Sequence, residues 1–115
     1  IDIYPTLTEL CNLPVPSELE GRSLAPILEN ADAQIRDVAQ SQFPRPAHSR
    51  KFNIMGYSIR TDRFRYTEWR DDKTNEAKEL YDHDNDPLET INLAAKPEHK
   101  ENVQHLSNKL REKVG

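Results

Sequence analysis

Between Ile54 and Trp69 apolar and polar residues alternate with a period of two, which a half-buried β-strand requires and a helix cannot use. Tyr57, Ile59 and Thr61 point one way, and Ser58 and Arg60 the other. The alternation breaks at Asp62-Arg63 and resumes from Phe64 to Trp69. With those two residues as the turn, Ile59 faces Tyr66 and Thr61 faces Phe64. Tyr57, Ile59, Phe64 and Tyr66 then share an apolar face, with Ser58, Arg60, Arg65 and Thr67 on the other. Asp-Arg is not a favoured tight-turn pair, so the hairpin is read with its register open.

The flanking segments extend this hairpin into a small α+β domain. Strands are expected near 38–43, 54–61, 64–70 and 78–82, giving an antiparallel sheet of three to four strands. Pro97 occupies a first-turn position, Glu98 and Glu101 follow it, and Lys109, Arg111 and Lys113 come last. That charge order complements a helix dipole over 97–113. Val103, Leu106, Leu110 and Val114 form its apolar stripe, and the helix packs the sheet. At the other end, residues 2–12 read as a short helix with Asp2 as N-cap. Its stripe of Ile3, Leu7, Leu10 and Cys11 is expected to pack on another surface. Pro14 and Pro16 stop it, a loop closes at Gly21, and Ser23 is expected to cap one helical turn at 24–28.

One domain of modest core is what 115 residues allow, and 31% charged against 35% hydrophobic residues is polar for a self-sufficient one. Part of the core is therefore expected to be completed from outside. A net charge of −4 argues against a dedicated nucleic-acid binder. The lone Cys11 excludes an internal disulfide, and no apolar run reaches the length of a membrane span. The chain starts at Ile1 and reads as a piece of a longer protein, so the lack of a signal peptide says nothing about where the parent resides.

Few residues offer chemistry. Asp82-His-Asp-Asn-Asp86 begins like a calcium loop, but Pro87 stands where glycine is needed and Leu93 where glutamate is. A turn held by Asp and Asn side chains is the better account. His48, His83, His99 and His105 lack a metal-ligand spacing and read as surface or boundary residues. Cys11, without a basic neighbour, reads as a buried structural thiol. Arg60, Arg63, Arg65 and Arg70 lie among aromatics, but Asp62, Glu68, Asp71 and Asp72 interrupt them. A solvated sheet face laced with ion pairs is preferred to a surface that stacks nucleic-acid bases. Arg45 stands apart. Pro44 and Pro46 hold it in extended backbone, and His48, Arg50 and Lys51 follow. A guanidinium so held suits a carboxylate or sulfate; an exposed cationic loop is the plainer alternative.

Five ordered segments carry a family resemblance. They are Asp2-Ile-Tyr-Pro-Thr-Leu7, Glu20-Gly-Arg-Ser-Leu24, Gln42-Phe-Pro-Arg-Pro46, Ile54 to Thr61 with Phe64-Arg-Tyr66, and Leu80 to Pro87 with Glu89, Asn92 and Leu93. Together they resemble the C-terminal end of a sulfatase, most of all the iduronate-2-sulfatase group and its bacterial relatives. The resemblance implies the C-terminal subdomain of an alkaline-phosphatase-like α/β enzyme, with residues 1–30 ending the large domain and 31–115 forming the subdomain. It implies a parent that hydrolyses sulfate esters of sulfated, glycosaminoglycan-type sugars with a formylglycine and a calcium ion. Cys11-Asn-Leu-Pro-Val departs from the Cys/Ser-x-Pro-x-Arg motif at Leu13 and Val15, so no catalytic residue is carried over and the chain alone is expected to be inactive.

The implied partners are the N-terminal catalytic domain of the same protein and a sulfated saccharide, with neither nucleic acid nor membrane. Arg45 and His48 are the candidate substrate-binding residues, at the rim of the pocket. A periplasmic or secreted parent is the family expectation. The competing readings are a non-catalytic interaction or carbohydrate-binding module, and a nucleic-acid-binding meander using Tyr57, Phe64, Tyr66 and Trp69.

Overall fold

The computed structural model describes residues 1–46, 53–70 and 75–114. The chain divides into two compact units, Ile1–Asp37 and Val38–Gly115.

The first unit holds helix α1 (Ile3–Leu10) and the single turn α2 (Ala25–Glu29). Asp2 does not cap α1 through its side chain. Its own backbone is already helical, and its Oδ1 instead accepts the Arg22 N–H at 2.8 Å and Arg36 Nη2 at 2.6 Å. Those two donors hold the Asp2 carboxyl below the usual range. Thr6 Oγ1 donates to Asp2 O and accepts the Leu24 N–H, which lays residues 20–24 against the Pro5–Thr6 side of α1. Gly21 permits that approach, since a Cβ there would lie 2.2 Å from the Ile1 carbonyl oxygen. Ser23 Oγ accepts the Ala25 N–H at the start of α2.

Because this segment covers the threonine side, the apolar stripe is left bare. Ile3 is 71% exposed, Leu7 57% and Leu10 54%, and Cys11 is exposed rather than buried. The α1 C-terminus is closed by Asn12 in the left-handed region at φ 54°. The Asn12 and Leu13 amides reach back to Glu9 O and Thr8 O, the bonding of a Schellman cap.

The second unit is an antiparallel meander in the order β1-β2-β3-β4 with α3 (Lys100–Val114) on one face. Its strands are β1 (Ala39–Pro46), β2 (Asn53–Arg60), β3 (Phe64–Arg70) and β4 (Asn75–Asp82). β1 and β4 run further than the sequence suggests. Pro44 and Pro46 are tolerated because β1 is an edge strand. In the central hairpin Ile59 pairs with Tyr66, the expected register. Thr61 makes the Asp62-Arg63 turn work: its N–H donates to Phe64 O and its Oγ1 accepts the Phe64 N–H, both at 2.9 Å.

The core is Val38, Ile59, Tyr66 and Leu80 against Leu106 and Leu110, with Tyr57, Phe64 and Val103 packed around it. Burial of each such aliphatic side chain contributes about 1.5–3 kcal/mol. A 3-10 turn at Pro97–His99 leads into α3. The edge of β4 is covered by its own chain. Leu93 N–H donates to Leu80 O at 2.8 Å, while the Asn92 side chain accepts from Leu80 N and donates to Lys78 O.

Glu68 ties sheet to helix. It is 0% exposed. Oε1 accepts the Tyr66 hydroxyl at 2.6 Å and the Ser107 hydroxyl from α3 at 2.5 Å, and Oε2 accepts Arg70 Nε at 2.7 Å. Burial pushes the Glu68 carboxyl up, but the donors from Ser107, Tyr66 and Arg70 outweigh it and leave it lowered. Asp82, gripped by Arg63 and by Asn85, is also held well below the carboxylate range.

Glu68→Ala is expected to destabilise the fold by about 3–5 kcal/mol in urea denaturation, because it leaves Arg70 without its buried partner. Glu68 and Asp82 both have lowered folded-state values. Their stabilisation is therefore complete above the unfolded carboxyl value of about 4 and drains away as pH falls below it. Stability measured against pH should decline on the acid side, and less steeply in Glu68→Gln than in the parent chain.

Candidate binding site on the outer sheet face

The sheet face opposite α3 carries the polar set of the central hairpin, and it is less solvated than its composition suggests. Ser58 and Thr67 are buried at its floor. Thr67 Oγ1 donates to Ser58 Oγ at 3.0 Å, which donates to Tyr66 O at 3.3 Å. Ser41, Phe43, Ser58, Arg60, Trp69 and Glu89 are among the residues lining a trough of about 540 Å³ above this floor.

One flank is a charged chain. Arg60 Nη2 lies 3.0 Å from His83 Nδ1, and His83 Nε2 lies 2.5 Å from Glu89 Oε1. A guanidinium only donates, so His83 Nδ1 accepts and Nε2 carries the proton that goes to Glu89. Glu89 Oε2 pairs in turn with Arg65, whose guanidinium lies 5.6 Å from the Tyr81 ring centroid. The Asp86–Glu89 turn aims this carboxylate. Glu89 N–H donates to Asp86 O, and Asp86 Oδ2 and Oδ1 accept Ile91 N–H and the Thr90 hydroxyl. Glu89 itself sits at φ 56°, in the left-handed region where a side chain is disfavoured.

The other flank is aromatic. Phe43 meets Trp69 edge to face at 5.2 Å and 81°, and Trp69 Nε1 donates to Glu79 Oε1 at 2.9 Å. Gly56 makes room for the pair, since a Cβ there would come within 2.9 Å of both rings. The Arg45 guanidinium stacks over Trp69 at 5.2 Å. Arg45 is exposed at the end of β1. His48 lies outside the described residues.

The four hairpin arginines do not share one solvated face. Arg60 and Arg65 lie on the outer face, Arg63 grips Asp82 from the turn, and Arg70 binds buried Glu68. The proposed base-stacking set is split as well. Tyr66 is buried, Tyr57 and Phe64 pack on the core, and of the four Trp69 alone is on the outer face. The Asp82–Asp86 segment is a turn, with Asp82 accepting Asp84 N–H, Asn85 Nδ2 and the Arg63 guanidinium. His83 takes part in a network that its isolated position in sequence does not reveal. Gly56 inside a strand was the readable sign of the aromatic stack.

A family profile described as N-sulphoglucosamine sulphohydrolase, C-terminal, matches residues 1–114. The chain belongs to the sulfatase family, as a C-terminal domain. It is 36% identical to arylsulfatase K of Gallus gallus over 96% of its own length and 21% of that protein. It is 31% identical to iduronate 2-sulfatase of Mus musculus, covering 86% of this chain and 25% of that one. A crystal structure of a putative sulfatase from Bacteroides thetaiotaomicron superposes with a TM-score of 0.80 at 30% identity, over 98% of this chain and 24% of that one. A structure solved with its substrate D-glucosamine-2-N,6-O-disulfate gives 0.78 at 30% identity, over 97% and 23%. The chain thus spans about a fifth to a quarter of the length of these relatives. The four-stranded meander with its C-terminal helix is the C-terminal subdomain of this sulfatase fold.

The strain at Glu89 gives a sharp test. Glu89→Gly relieves the backbone while Glu89→Ala does not, so the glycine variant should be the more stable by about 1 kcal/mol. Both should release His83 from its fixed tautomer, which ¹⁵N NMR of the imidazole will register as loss of a single Nε2–H form.

Proposed function

We propose that this chain is the C-terminal subdomain of a sulfatase that hydrolyses sulfate esters of sulfated, glycosaminoglycan-type sugars. Residues 1–30 end its large domain, and the catalytic domain of the same polypeptide is the subdomain's partner. The support is the sulfated-sugar chemistry of the relatives: an iduronate 2-sulfatase, and a structure holding a glucosamine disulfate. A periplasmic or secreted parent belongs to the same proposal.

The chemistry itself lies outside this chain. No group of three or more His, Cys, Asp or Glu among the described residues could hold a metal. The carboxylates of Asp82 and Asp86 are already engaged by Arg63 and by backbone amides. Cys11, followed by Asn12 and Leu13, lacks the proline and arginine of the formylglycine motif. Neither group fits the residues present. The calcium ion and the formylglycine are assigned to the preceding part of the polypeptide.

What this subdomain brings to the substrate is Arg45, with His48 beside it in sequence. The observation that carries the assignment is the state of its guanidinium. The four hairpin arginines are each engaged by a hydrogen-bond acceptor, whereas Arg45 lies on Trp69 with no carboxylate partner among the described residues. The stacked ring orients the cation, and a guanidinium so oriented grips a sulfate or carboxylate with paired charge-assisted bonds. Its role is to bind and orient an anionic sugar at the pocket rim.

In the complete enzyme Arg45→Ala is expected to lower kcat/KM for a disulfated or carboxylated sugar by about 10- to 100-fold, the worth of a charged hydrogen bond. Activity on a small aryl sulfate without a second anionic group should change little. Equal kinetics on both substrates with an unchanged melting temperature would remove Arg45 from the site.

A further inference from the structure

We infer that Trp69 is a positioning residue for Arg45, and that Glu79, acting through the indole, fixes where the guanidinium meets the second anionic group of a sugar. This rests on the reading of Arg45 as a substrate-binding residue and adds which residues give it its selectivity.

Arg45 differs from the other arginines that lie on rings. Arg63 lies over Phe64, Arg65 over Tyr81 and Arg70 over Tyr57, but each also pairs with a carboxylate, of Asp82, Glu89 and Glu68 respectively. In those three the carboxylate sets the guanidinium and the ring flanks it, because a charge-assisted bond is directional and a cation–π contact is not. For Arg45 the contact among the described residues is the Trp69 ring, whose centroid lies 5.2 Å from Cζ. The ring decides where this cation stands.

The place calls for such a support. Arg45 is exposed on edge strand β1, one residue from its end. An arginine there has many rotamers open to it, and a ligand that had to select one would bind more weakly by that lost entropy. A cation already laid on a ring has lost it beforehand.

The ring is held in turn, and every strand of the sheet takes part. Phe43, Gly56 and Trp69 stand opposite one another across β1, β2 and β3. Phe43 meets the indole edge to face at 81°, in the space that the missing Cβ of Gly56 leaves to both rings. From β4, Glu79 Oε1 accepts the indole Nε1–H at 2.9 Å. Glu79 pairs with Thr67, two residues from Trp69, and so projects from the same face. Both Trp69 and Glu79 are only half-buried. An indole this exposed has water to donate to, so the carboxylate is not needed to satisfy it. What the bond adds is direction: Phe43 fixes the tilt of the indole, and Glu79 fixes its rotation.

In the complete enzyme the readout is a selectivity ratio, kcat/KM for a disulfated sugar divided by that for an aryl sulfate with no second anionic group. Trp69→Leu is expected to lower the ratio about tenfold and Glu79→Leu about threefold. Glu79→Gln, whose amide oxygen still accepts the indole N–H, should keep the parent ratio. Trp69→Phe retains a ring and lacks the N–H, so it should match Glu79→Leu; it carries the test if Trp69→Leu does not fold. Because Trp69 acts through Arg45, the double variant Arg45→Ala with Trp69→Leu should have a ratio no lower than Arg45→Ala alone.

A role confined to packing predicts the reverse. Both substrates would then lose rate together as the melting temperature falls, leaving the ratio where it was. That result, losses that add in the double variant, or a fall in Glu79→Gln as large as in Glu79→Leu would each overturn the proposal. Arg45→Ala separates the two levels. A ratio that falls in Arg45→Ala but not in the Trp69 variants disposes of the positioning role and leaves the functional reading standing. A ratio unmoved by Arg45→Ala removes that reading, and the positioning role with it.

Discussion

A carboxylate with no exposure to solvent holds the subdomain together. Glu68 is the point at which the central hairpin, the end of β3 and the terminal helix meet, through Tyr66, Arg70 and Ser107. Burying an unpaired charge would be prohibitive, so each donor around it is an obligation on the fold. Arg70 must turn to the helix side, Tyr66 must direct its hydroxyl along its own strand, and α3 must stand at the height that brings Ser107 within reach. Hydrophobic packing of Leu106 and Leu110 draws the helix to the sheet, and the Glu68 network selects one position along it.

The same alternation that sends Glu68 inward sends Thr67 and Trp69 outward, so the two faces are coupled by the pleat. The outer face is polar yet largely dry at its floor. Its order comes from a short turn, Asp86 to Glu89, in which Asp86 binds the following amides and forces Glu89 into a left-handed backbone. The strained residue supplies the carboxylate that organises His83, Arg60 and Arg65. On the far flank a glycine lets two rings lie over the backbone, and one of them carries Arg45. Both devices use a backbone position with an unusual requirement to place side chains that a plain strand could not.

The first unit shows the other side of this arrangement. Thr6 and the Glu20–Leu24 segment satisfy the α1 backbone and the Asp2 carboxylate, and all of that binding lies on one side of the helix. Ile3, Leu7 and Leu10 remain bare on the other. Cys11 was expected to be buried because it continues that stripe. It is exposed for the same reason, since the stripe has no cover within its unit. Asp2 likewise has the residue type of a cap, but two arginine donors claimed it first.

The hairpin, the helix polarity and the core positions Ile59, Tyr66, Leu106 and Leu110 were legible in the sequence, because period and end-signals are local properties of the chain; the register was left open there and was fixed by the Thr61–Phe64 bonds across the turn. The five ordered segments likewise pointed to the sulfatase family that the comparisons show. The partners of the polar residues were not legible. Arg60 with His83, Arg65 with Glu89 and Arg70 with Glu68 look alike as arginines among aromatics, and only strand pairing and turn geometry send each to a different place. Sequence determines which residues can face a core. Which charges meet, which stay bare and which are strained is decided when distant segments are brought together, because electrostatic and hydrogen-bond partners are chosen by distance in space.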